Sequence, residues 1–473
     1  MKGHQFTVVM LLAAVLWSCQ PPAFEPPNIL FILADDFSYN AVHVLGNDEV
    51  RTPAIDALAK RGTIFTNTYN MGGWNGAVCI ASRTMLNTGR FLWNANKLDR
   101  HLDSVAHRDM LWSRELAKLG YETYFTGKWH VGIDPGSIFD HVGTVRPGMP
   151  ADTPEGYNRP LGESDRVWTP WDTAFGGYWE GGTHWSEVVA NETISFLQES
   201  SGSEKPFFMY VAFNAPHDPR QSPKDMVEDY PLDNISLPES YQPLYPYREE
   251  IGCGPGLRDE ALAPFPRTPY AVRVHRQEYY AIITHLDAQI KRIMDQLEET
   301  GQSDHTIVVF TADQGLAVGC HGLMGKQNMY EHSIRPPMII AGPGIPAGEM
   351  RDAAIYLQDI MPTAIEYAGG EVPGYVEYHS MKPFLDGNRR ESYYPQMYGA
   401  YMDLQRMIRK DHYKLIYYPV ARITRLFNLA DDRQELNDLA TDPFYSVRVQ
   451  EMYSELEQLM GAMGDTLHLP ALN

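Results

Sequence analysis

Four times along this chain a short, largely apolar run stops at polar, chemistry-bearing side chains. NILFILADD (Asn28–Asp36) ends in two carboxylates, and HTIVVFTADQG (His305–Gly315) ends in Asp313 and Gln314. YETYFTGKWH (Tyr121–His130) ends in Lys128 and His130, and PFFMYVAFNAPHDP (Pro206–Pro219) runs on to His217. An apolar run without alternation has no face for water, so each reads as a strand buried on both sides of a parallel sheet. PPMIIAGPG (Pro336–Gly344) adds a further strand. Helical segments lie between: TPAIDALAKRG, with proline in its first turn and glycine at its end, RDMLWSRELAKLG, and a long periodic stretch from Arg276 to Thr300. The alternation predicts an α/β domain with a large, mostly parallel sheet and helices on both faces. Ligands bind such sheets at the carboxyl ends of the strands. The four polar ends are therefore expected to converge on one site.

The N-terminus, MKGHQFTVVMLLAAVLWSC, opens with Lys2 and continues as an apolar run that is short for a membrane span and suits an export signal. It closes on Leu16-Trp17-Ser18-Cys19, similar to a bacterial lipoprotein cleavage box, although Trp17 is bulkier than such boxes carry. A plain secretory signal cleaved nearby is the alternative. QPPAFEPP follows as a stiff tether. The chain thus divides into signal and tether (1–27), a catalytic α/β domain (28–370) and a smaller C-terminal α+β subdomain (371–473). In the last, QMYGAYM, QRMIRK, HYKLIYYP and TRLFNLA predict a small antiparallel sheet, and SVRVQEMYSELEQLMGAM a terminal helix. The expected destination is the periplasm or the outer membrane of a bacterium, with Cys19 as a lipid anchor. Of the four cysteines, three remain after Cys19, which is no disulfide framework but is compatible with a Cys253–Cys320 bridge. Gly132–Gly182 and Asp218–Arg273 read as long irregular loops. A net charge of −21 argues against nucleic-acid binding, and an anionic substrate would need cations gathered locally.

Asp35-Asp36 and Asp313-Gln314 each read alone as a turn or helix cap. Together they offer oxygen ligands for a hard cation, Ca²⁺ in preference to Mg²⁺, and the Gln314 amide argues against zinc. Cys79 opens a segment, SRTMLNTGR, that can start a helix, whose N-terminus would stabilise an anion with Arg83 one turn on. A structural cysteine and an ordinary thiolate nucleophile are the other readings. Lys128 and Lys326 follow glycines at strand ends. Glu331 and Arg335 are spaced as a helix-face ion pair. Asp287 reads as a solvated or capping carboxylate, and His321 as structural. The aromatics Trp168, Trp171, Tyr178 and Trp179, with His184 beyond them, suit either stacking on sugar rings or packing of their own loop.

CIASRTMLNTGR (Cys79–Arg90) resembles the activation motif of the formylglycine-dependent (type I) sulfatases, with Ala81 where proline is usual and Asn87 where leucine or methionine is usual. LADD, TGKWH, NAPHDP, TADQG and HGLMGKQNMYEHSIRPPMII resemble further blocks of that family, in family order. RMIRKDHYKLIYY with LFNLADDRQELNDL resembles its small-sheet subdomain. The resemblance implies an alkaline-phosphatase-like fold and hydrolysis of a sulfate monoester, with a bacterial polysaccharide fragment as the expected substrate. It implies that a maturating enzyme oxidises Cys79 to formylglycine, used as its hydrated diol. Calcium on Asp35, Asp36, Asp313 and Gln314 would contact both residue 79 and the sulfate. Lys128 and Lys326 would clamp sulfate oxygens and Arg83 would stabilise the diol. Asp313 would accept the proton of the attacking oxygen, His217 would protonate the departing sugar oxygen, and His130 would deprotonate the second hydroxyl to release sulfate. His184 and Trp179 complete the expected substrate contacts. A phosphatase or phosphodiesterase of the same superfold, and an inactive sulfated-glycan-binding lipoprotein, are the competing functions.

Overall fold

A computed structural model describes residues 25–472, apart from 151–153, 157–158 and 166. The export signal and Cys19 lie outside the described residues. No described helix is long and apolar enough to cross a membrane.

The large sheet has eight strands, in the order Glu349–Arg351, Gly62–Phe65, Met338–Ala341, Thr306–Ala312, Asn28–Ala34, Phe207–Ala212, Glu122–Lys128, His141–Arg146. Neighbours run parallel except at Met338–Ala341, which is antiparallel to both of its partners. Asn28–Ala34 is buried at every position. Leu30, Ile32 and Ala34 pack into the core on one face with Tyr279, Ile282 and Leu286 of the Pro269–Glu299 helix and Val189 and Leu197 of the Trp185–Ser200 helix. Ile29, Phe31 and Leu33 pack on the other with Trp112, Leu116, Met361 and Ile365. Fully burying such side chains stabilises by about 1.5–3 kcal/mol each, which is why the runs do not alternate.

The sheet departs from the sequence expectation at two places. His141–Arg146, inside the stretch read as loop, is a short edge strand with Gly143 at its centre and no apolar run to announce it. The long helix starts at Pro269 rather than Arg276, because Thr268 caps it by accepting from the Ala271 N–H (3.1 Å) and Pro269 takes the first turn, where no N–H is needed. The Pro53–Arg61 helix is capped from afar. Both Asp287 oxygens accept its first-turn N–H groups, from Ala54 (2.9 Å) and Ile55 (2.8 Å). Asp287 is thus a buried cap on another helix, and burial pushes its carboxyl up to about 6.

The second sheet runs Ile423–Asn428, Tyr413–Tyr418, Gln405–Lys410, Gln396–Tyr401, all antiparallel, and then takes Gly72–Gly73 as a parallel edge. The Ser446–Ala462 helix covers it through Val449, Met452, Leu456 and Met460. At Gly72 a Cβ would lie 2.1 Å from the Ala400 carbonyl oxygen, so glycine is required where the chain leading to Cys79 is clamped to this sheet. Cys79, Cys253 and Cys320 are all free and buried. The Cys253–Cys320 bridge is therefore not formed; the Cys253 thiol faces the Gln327 carbonyl (3.2 Å) instead.

Candidate active site

Because Asn28–Ala34, Phe207–Ala212, Glu122–Lys128 and Thr306–Ala312 run parallel, their polar ends share one edge. Each end is aimed by a local device. Asp36 (φ 64°) and His130 (φ 56°) adopt the left-handed conformation that non-glycine residues avoid, the kind of local strain that clusters at functional sites. Gly127 (φ 99°) marks a register irregularity against His141–Arg146, and a Cβ there would lie 1.8 Å from the Ala212 carbonyl oxygen. That kink turns Lys128 inward. Cys79 sits in the first turn of the Val78–Thr88 helix, which ends in a left-handed Gly89 whose N–H bonds the Met85 carbonyl (2.9 Å).

Six charged side chains interleave here, all buried: Asp35, Asp36 and Asp313 against Arg83, Lys128 and Lys326. Arg83 Nε donates to Asp313 Oδ2 (2.9 Å), its Nη1 donates to the Lys128 carbonyl (2.6 Å), and its Nη2 lies 3.8 Å from Asp35 Oδ1. Lys128 Nζ is hydrogen-bonded to Asp35, and Lys326 Nζ donates to both oxygens of Asp36 at 2.8 Å. Ser82 Oγ holds the Asp313 carbonyl (2.7 Å). Cys79 Sγ, the atom standing where an oxidised residue 79 would carry its oxygen, lies 3.2 Å from His130 Nδ1 and 3.7 Å from Lys128 Nζ. His217 Nδ1 donates to the Asp218 carbonyl (2.8 Å), and its Nε2 lies 3.6 Å from Asp36.

The electrostatics follow from burial. Desolvation pushes Asp35 and Asp36 up to about 6 against their lysine partners, with a neighbouring carboxylate adding to it at each. Lys326 is held well above its ordinary value by Asp36, over the opposing effect of burial. Burial, then Lys128, depresses His130 to about 3. Burial and Lys326 hold His217 well below the usual imidazole range. Burial also raises the Cys79 thiol, the opposite of what a thiolate nucleophile needs. Desolvating so many charges is a poor way to stabilise a fold, so the cluster reads as a functional centre.

Asp35 Oδ1 and Gln314 Oε1 are buried without a hydrogen-bond partner, while Gln314 Nε2 donates to Asp36 Oδ1 (2.6 Å). Ligand atoms of Asp35, Cys79 and Asp313 lie within 4.8 Å of one another. An oxygen-rich set with two unsatisfied acceptors fits a hard divalent cation.

Every polar strand end named from the sequence reaches this edge. His184 does not offer itself to a substrate. It is fully buried as the cap of the Trp185–Ser200 helix, with Nδ1 accepting from the Ser186 N–H (3.1 Å) and Nε2 donating to the Gln221 carbonyl (2.9 Å), so both ring nitrogens are spent. Trp179 packs edge-on against His184 and donates its indole N–H to the Pro170 carbonyl (2.9 Å), which is the loop-packing alternative. Glu331 and Arg335 do pair (3.3 Å), but Glu331 is buried and also meets Lys414 (3.1 Å) of the small sheet. Sequence reasoning missed Arg258, Asp259 and Glu260, which lie in the stretch read as irregular loop. Glu260 accepts from the Gly325 N–H (2.8 Å) and Asp259 from Gln327 Nε2 (2.8 Å), fixing the loop that presents Lys326. Their only signal was an acidic pair in a proline-rich segment.

Comparison with known proteins agrees with this geometry. The family model described as "Sulfatase" matches residues 27–370, and that of the "N-sulphoglucosamine sulphohydrolase, C-terminal" region matches 319–462. An N-acetylglucosamine-6-O-sulfatase of Bacteroides thetaiotaomicron is 27% identical, over 97% of this chain and 91% of that protein. A solved protein in complex with its substrate D-glucosamine-2-N,6-O-disulfate superposes with a TM-score of 0.73 at 22% identity, covering 93% of this chain and 99% of that one. A phosphonate monoester hydrolase of Silicibacter pomeroyi shares the fold, with a TM-score of 0.72 at 20% identity over 93% of this chain and 96% of that one. The chain belongs to the sulfatase family, as a sulfuric ester hydrolase of alkaline-phosphatase-like fold.

Proposed function

We propose that the chain removes sulfate from a carbohydrate, with Cys79 converted to formylglycine by a maturating enzyme and calcium held by Asp35, Asp36, Asp313 and Gln314. The observation that carries this reading is the place of Cys79. It sits at a helix N-terminus within 4.8 Å of Asp35 and Asp313 ligand atoms, with an imidazole and an ammonium beside its sulfur. The sulfatase relatives support the sugar: one is named for N-acetylglucosamine-6-O-sulfate hydrolysis, and one solved neighbour holds a disulfated glucosamine.

The cation would supply Lewis-acid stabilisation of charge on the sulfate, and the formylglycine a hydrated carbonyl that attacks with one hydroxyl and keeps a second for regeneration. The protein's own groups do the rest. Three carboxylates are balanced by three cations, so a divalent ion leaves a net positive centre that suits a sulfate ester. Lys128 and Lys326 bind its oxygens, and Arg83 holds Asp313 and Asp35 in register. Asp313 accepts the first proton. His130, kept neutral by burial, accepts the second at residue 79. His217 donates to the departing sugar oxygen. Burial is the main cause that depresses it, with Lys326 and Lys128 adding to it, so an anion bound between the lysines offsets part of that depression. Export, with or without a lipid on Cys19, would bring the enzyme to polysaccharide outside the cytoplasm.

One observation favours a second reading. Asp36, His217 and Asp218 form another group of ligand atoms within 4.8 Å, as a two-metal phosphoesterase would need. Against it, the nitrogen of His217 nearest Asp218 is committed to that residue's carbonyl. The deciding experiment is a screen of sulfate release from defined sulfated mono- and disaccharides by the matured wild type and Cys79→Ala. Release that vanishes in the variant supports the proposal. Phosphodiester turnover that survives it, in protein carrying zinc at both groups, supports the alternative.

A further inference from the structure

The aromatic loop borders a cleft of its own, apart from residue 79. The cleft has a volume of about 280 Å³ and lies between the 159–171 stretch, the short Lys224–Glu228 helix and the N-terminal half of the Pro269–Glu299 helix. That is near the lower end of the roughly 300–1,000 Å³ of small-molecule sites, room for one sugar ring. Half-buried Trp171 and Tyr270 line it, with Val227, Leu232 and Val274. The other wall is fixed. Arg159 Nη1 and Nη2 donate to the two oxygens of Glu278 (2.7 and 2.5 Å), and the guanidinium lies 3.6 Å over the Trp168 ring. Arg159 and Trp168 are each 7% exposed, yet Arg159 Nε and Trp168 Nε1 are buried with no hydrogen-bond partner among the described residues. Buried donors are nearly always paired, so two unmet ones in a single wall mark a place for an acceptor. Beside the lining residues Pro160 and Trp168, Leu161 and Val167 stand 70% and 69% exposed, apolar surface that packing of the loop leaves unused. The cleft adjoins the catalytic edge. Glu278 is followed by Tyr279, whose Oη donates to the Asp36 carbonyl (2.8 Å) and accepts from the Ser38 N–H (3.0 Å). His275, one turn earlier, accepts at Nδ1 from Arg220 (2.8 Å), three residues past His217. Tyr279, His275 and Arg220 form the layer between the cleft and the charged centre.

We infer that this cleft is an accessory binding site for an uncharged sugar unit of the substrate glycan; this rests on the carbohydrate-sulfatase reading above. A pyranose has an apolar C–H face that lies on aromatic rings and a rim of hydroxyls that accept from the wall donors. Charge selects the kind of sugar. Among the described lining residues, Arg159 faces three carboxylates, Asp165, Glu228 and Glu278. Lys224 pairs with Glu228 at the rim (3.3 Å), which leaves the cleft net negative. A sulfated or uronic unit is repelled here, in a chain of net charge −21, while the cations of the charged centre take the sulfated unit. A glycan carrying both kinds of unit is held at two points, which raises its affinity over that of a sulfated monosaccharide.

The test uses the full, matured chain and compares Trp171→Ala and Trp168→Phe with the wild type. Trp168→Phe keeps an aromatic ring under Arg159 and removes the N–H. Probes are unsulfated tetrasaccharides of N-acetylglucosamine and of galactose, titrated by calorimetry with saturating inorganic sulfate filling the charged centre. The wild type should bind at least one of them. Trp171→Ala should weaken that binding on the order of 10-fold and Trp168→Phe about 3-fold, with unfolding midpoint and turnover of 4-nitrophenyl sulfate unchanged. Should Trp171→Ala lower the midpoint, Trp168→Phe carries the decision. The same tetrasaccharides sulfated on every unit should bind the cleft more weakly than the neutral forms. On a singly sulfated tetrasaccharide Trp171→Ala should lower kcat/KM through KM, and on the sulfated monosaccharide it should not. No binding of either neutral probe, or equal binding by all three proteins, overturns the inference, whatever the enzyme does to sulfated sugars. Neutral-sugar binding that weakens in the variants, with no sulfate released from any sugar, instead overturns the catalytic reading and leaves a glycan-binding cleft.

Discussion

Replacing Lys414 by methionine should cost the fold far more than losing one lysine suggests. Lys414, fully buried on the Tyr413–Tyr418 strand, meets Glu331 at 3.1 Å and Glu435 at 2.7 Å. Glu435 in turn accepts the Glu331 N–H (2.7 Å). The triad joins the small sheet to the segment just after Lys326. Methionine keeps the volume and strips the charge, leaving two carboxylates underground with Arg335, 3.3 Å from Glu331, as partial compensation. Breaking a buried pair by removing one partner costs about 3–5 kcal/mol. The pH dependence has a defined sign. Burial, with Glu331 beside it, holds the Glu435 carboxyl above its ordinary range, opposed by Lys414. A carboxyl raised in the folded state binds more protons there than when unfolded. Its contribution is therefore full below the ordinary carboxylate range and is lost as pH rises through the folded value. Without Lys414 that folded value rises further. The share of the Lys414→Met deficit that falls on Glu435 should thus be larger near pH 8 and shrink toward about pH 5, while the share on Glu331, which Lys414 helps hold down to about 2 against burial, persists there. Urea unfolding at both pH values, with the slope held constant, reads it directly. Adding Glu435→Gln should recover about 1–3 kcal/mol at the higher pH by removing the stranded charge. A single variant within about 1 kcal/mol of wild type, or a double variant no better than the single, would refute the reasoning.

Asp287→Ala should destabilise by about 1–2 kcal/mol near neutral pH, seen as a lower urea midpoint, because it uncaps the Pro53–Arg61 helix at two N–H groups. A thiol reagent should label neither Cys253 nor Cys320 in the native chain and should label both after unfolding, since both are free and buried with raised thiols; recovery of a 253–320 disulfide peptide would contradict this. Removing divalent cations with a chelator should abolish sulfate release, with calcium restoring it better than zinc. Asp313→Asn should weaken that restoration, read as a higher calcium concentration for half activity.

The sheet and its reactive edge were legible because burial on both faces forces uninterrupted apolar runs, and because parallel strands must bring their carboxyl ends together. What escaped had no such signature. The His141–Arg146 edge strand is only half-buried and needs no apolar run. Glu331 and Arg335 are spaced as a surface pair, and nothing local tells that Lys414, far along the chain, buries one of them. His184 and Trp179 sit in an aromatic loop whose composition fits sugar stacking and self-packing equally; the structure spends their polar atoms internally. Asp259 and Glu260 meet partners distant in sequence, Gln327 and the Gly325 N–H, so their positions are a property of the fold alone. Asn87, the departure from the activation motif, is buried and donates to the Arg83 carbonyl (2.9 Å), a bond that steadies the helix behind Cys79.

The central claim concerns residue 79, and mass spectrometry of its peptide tests it most directly. Protein made with a sulfatase-maturating enzyme should show the Cys79 peptide lighter by about 18 mass units, the difference between a thiol and an aldehyde side chain. Sulfate release across preparations should rise in proportion to that converted fraction and be absent from protein made without the maturase. Full activity in protein whose Cys79 peptide retains an intact thiol would contradict the account.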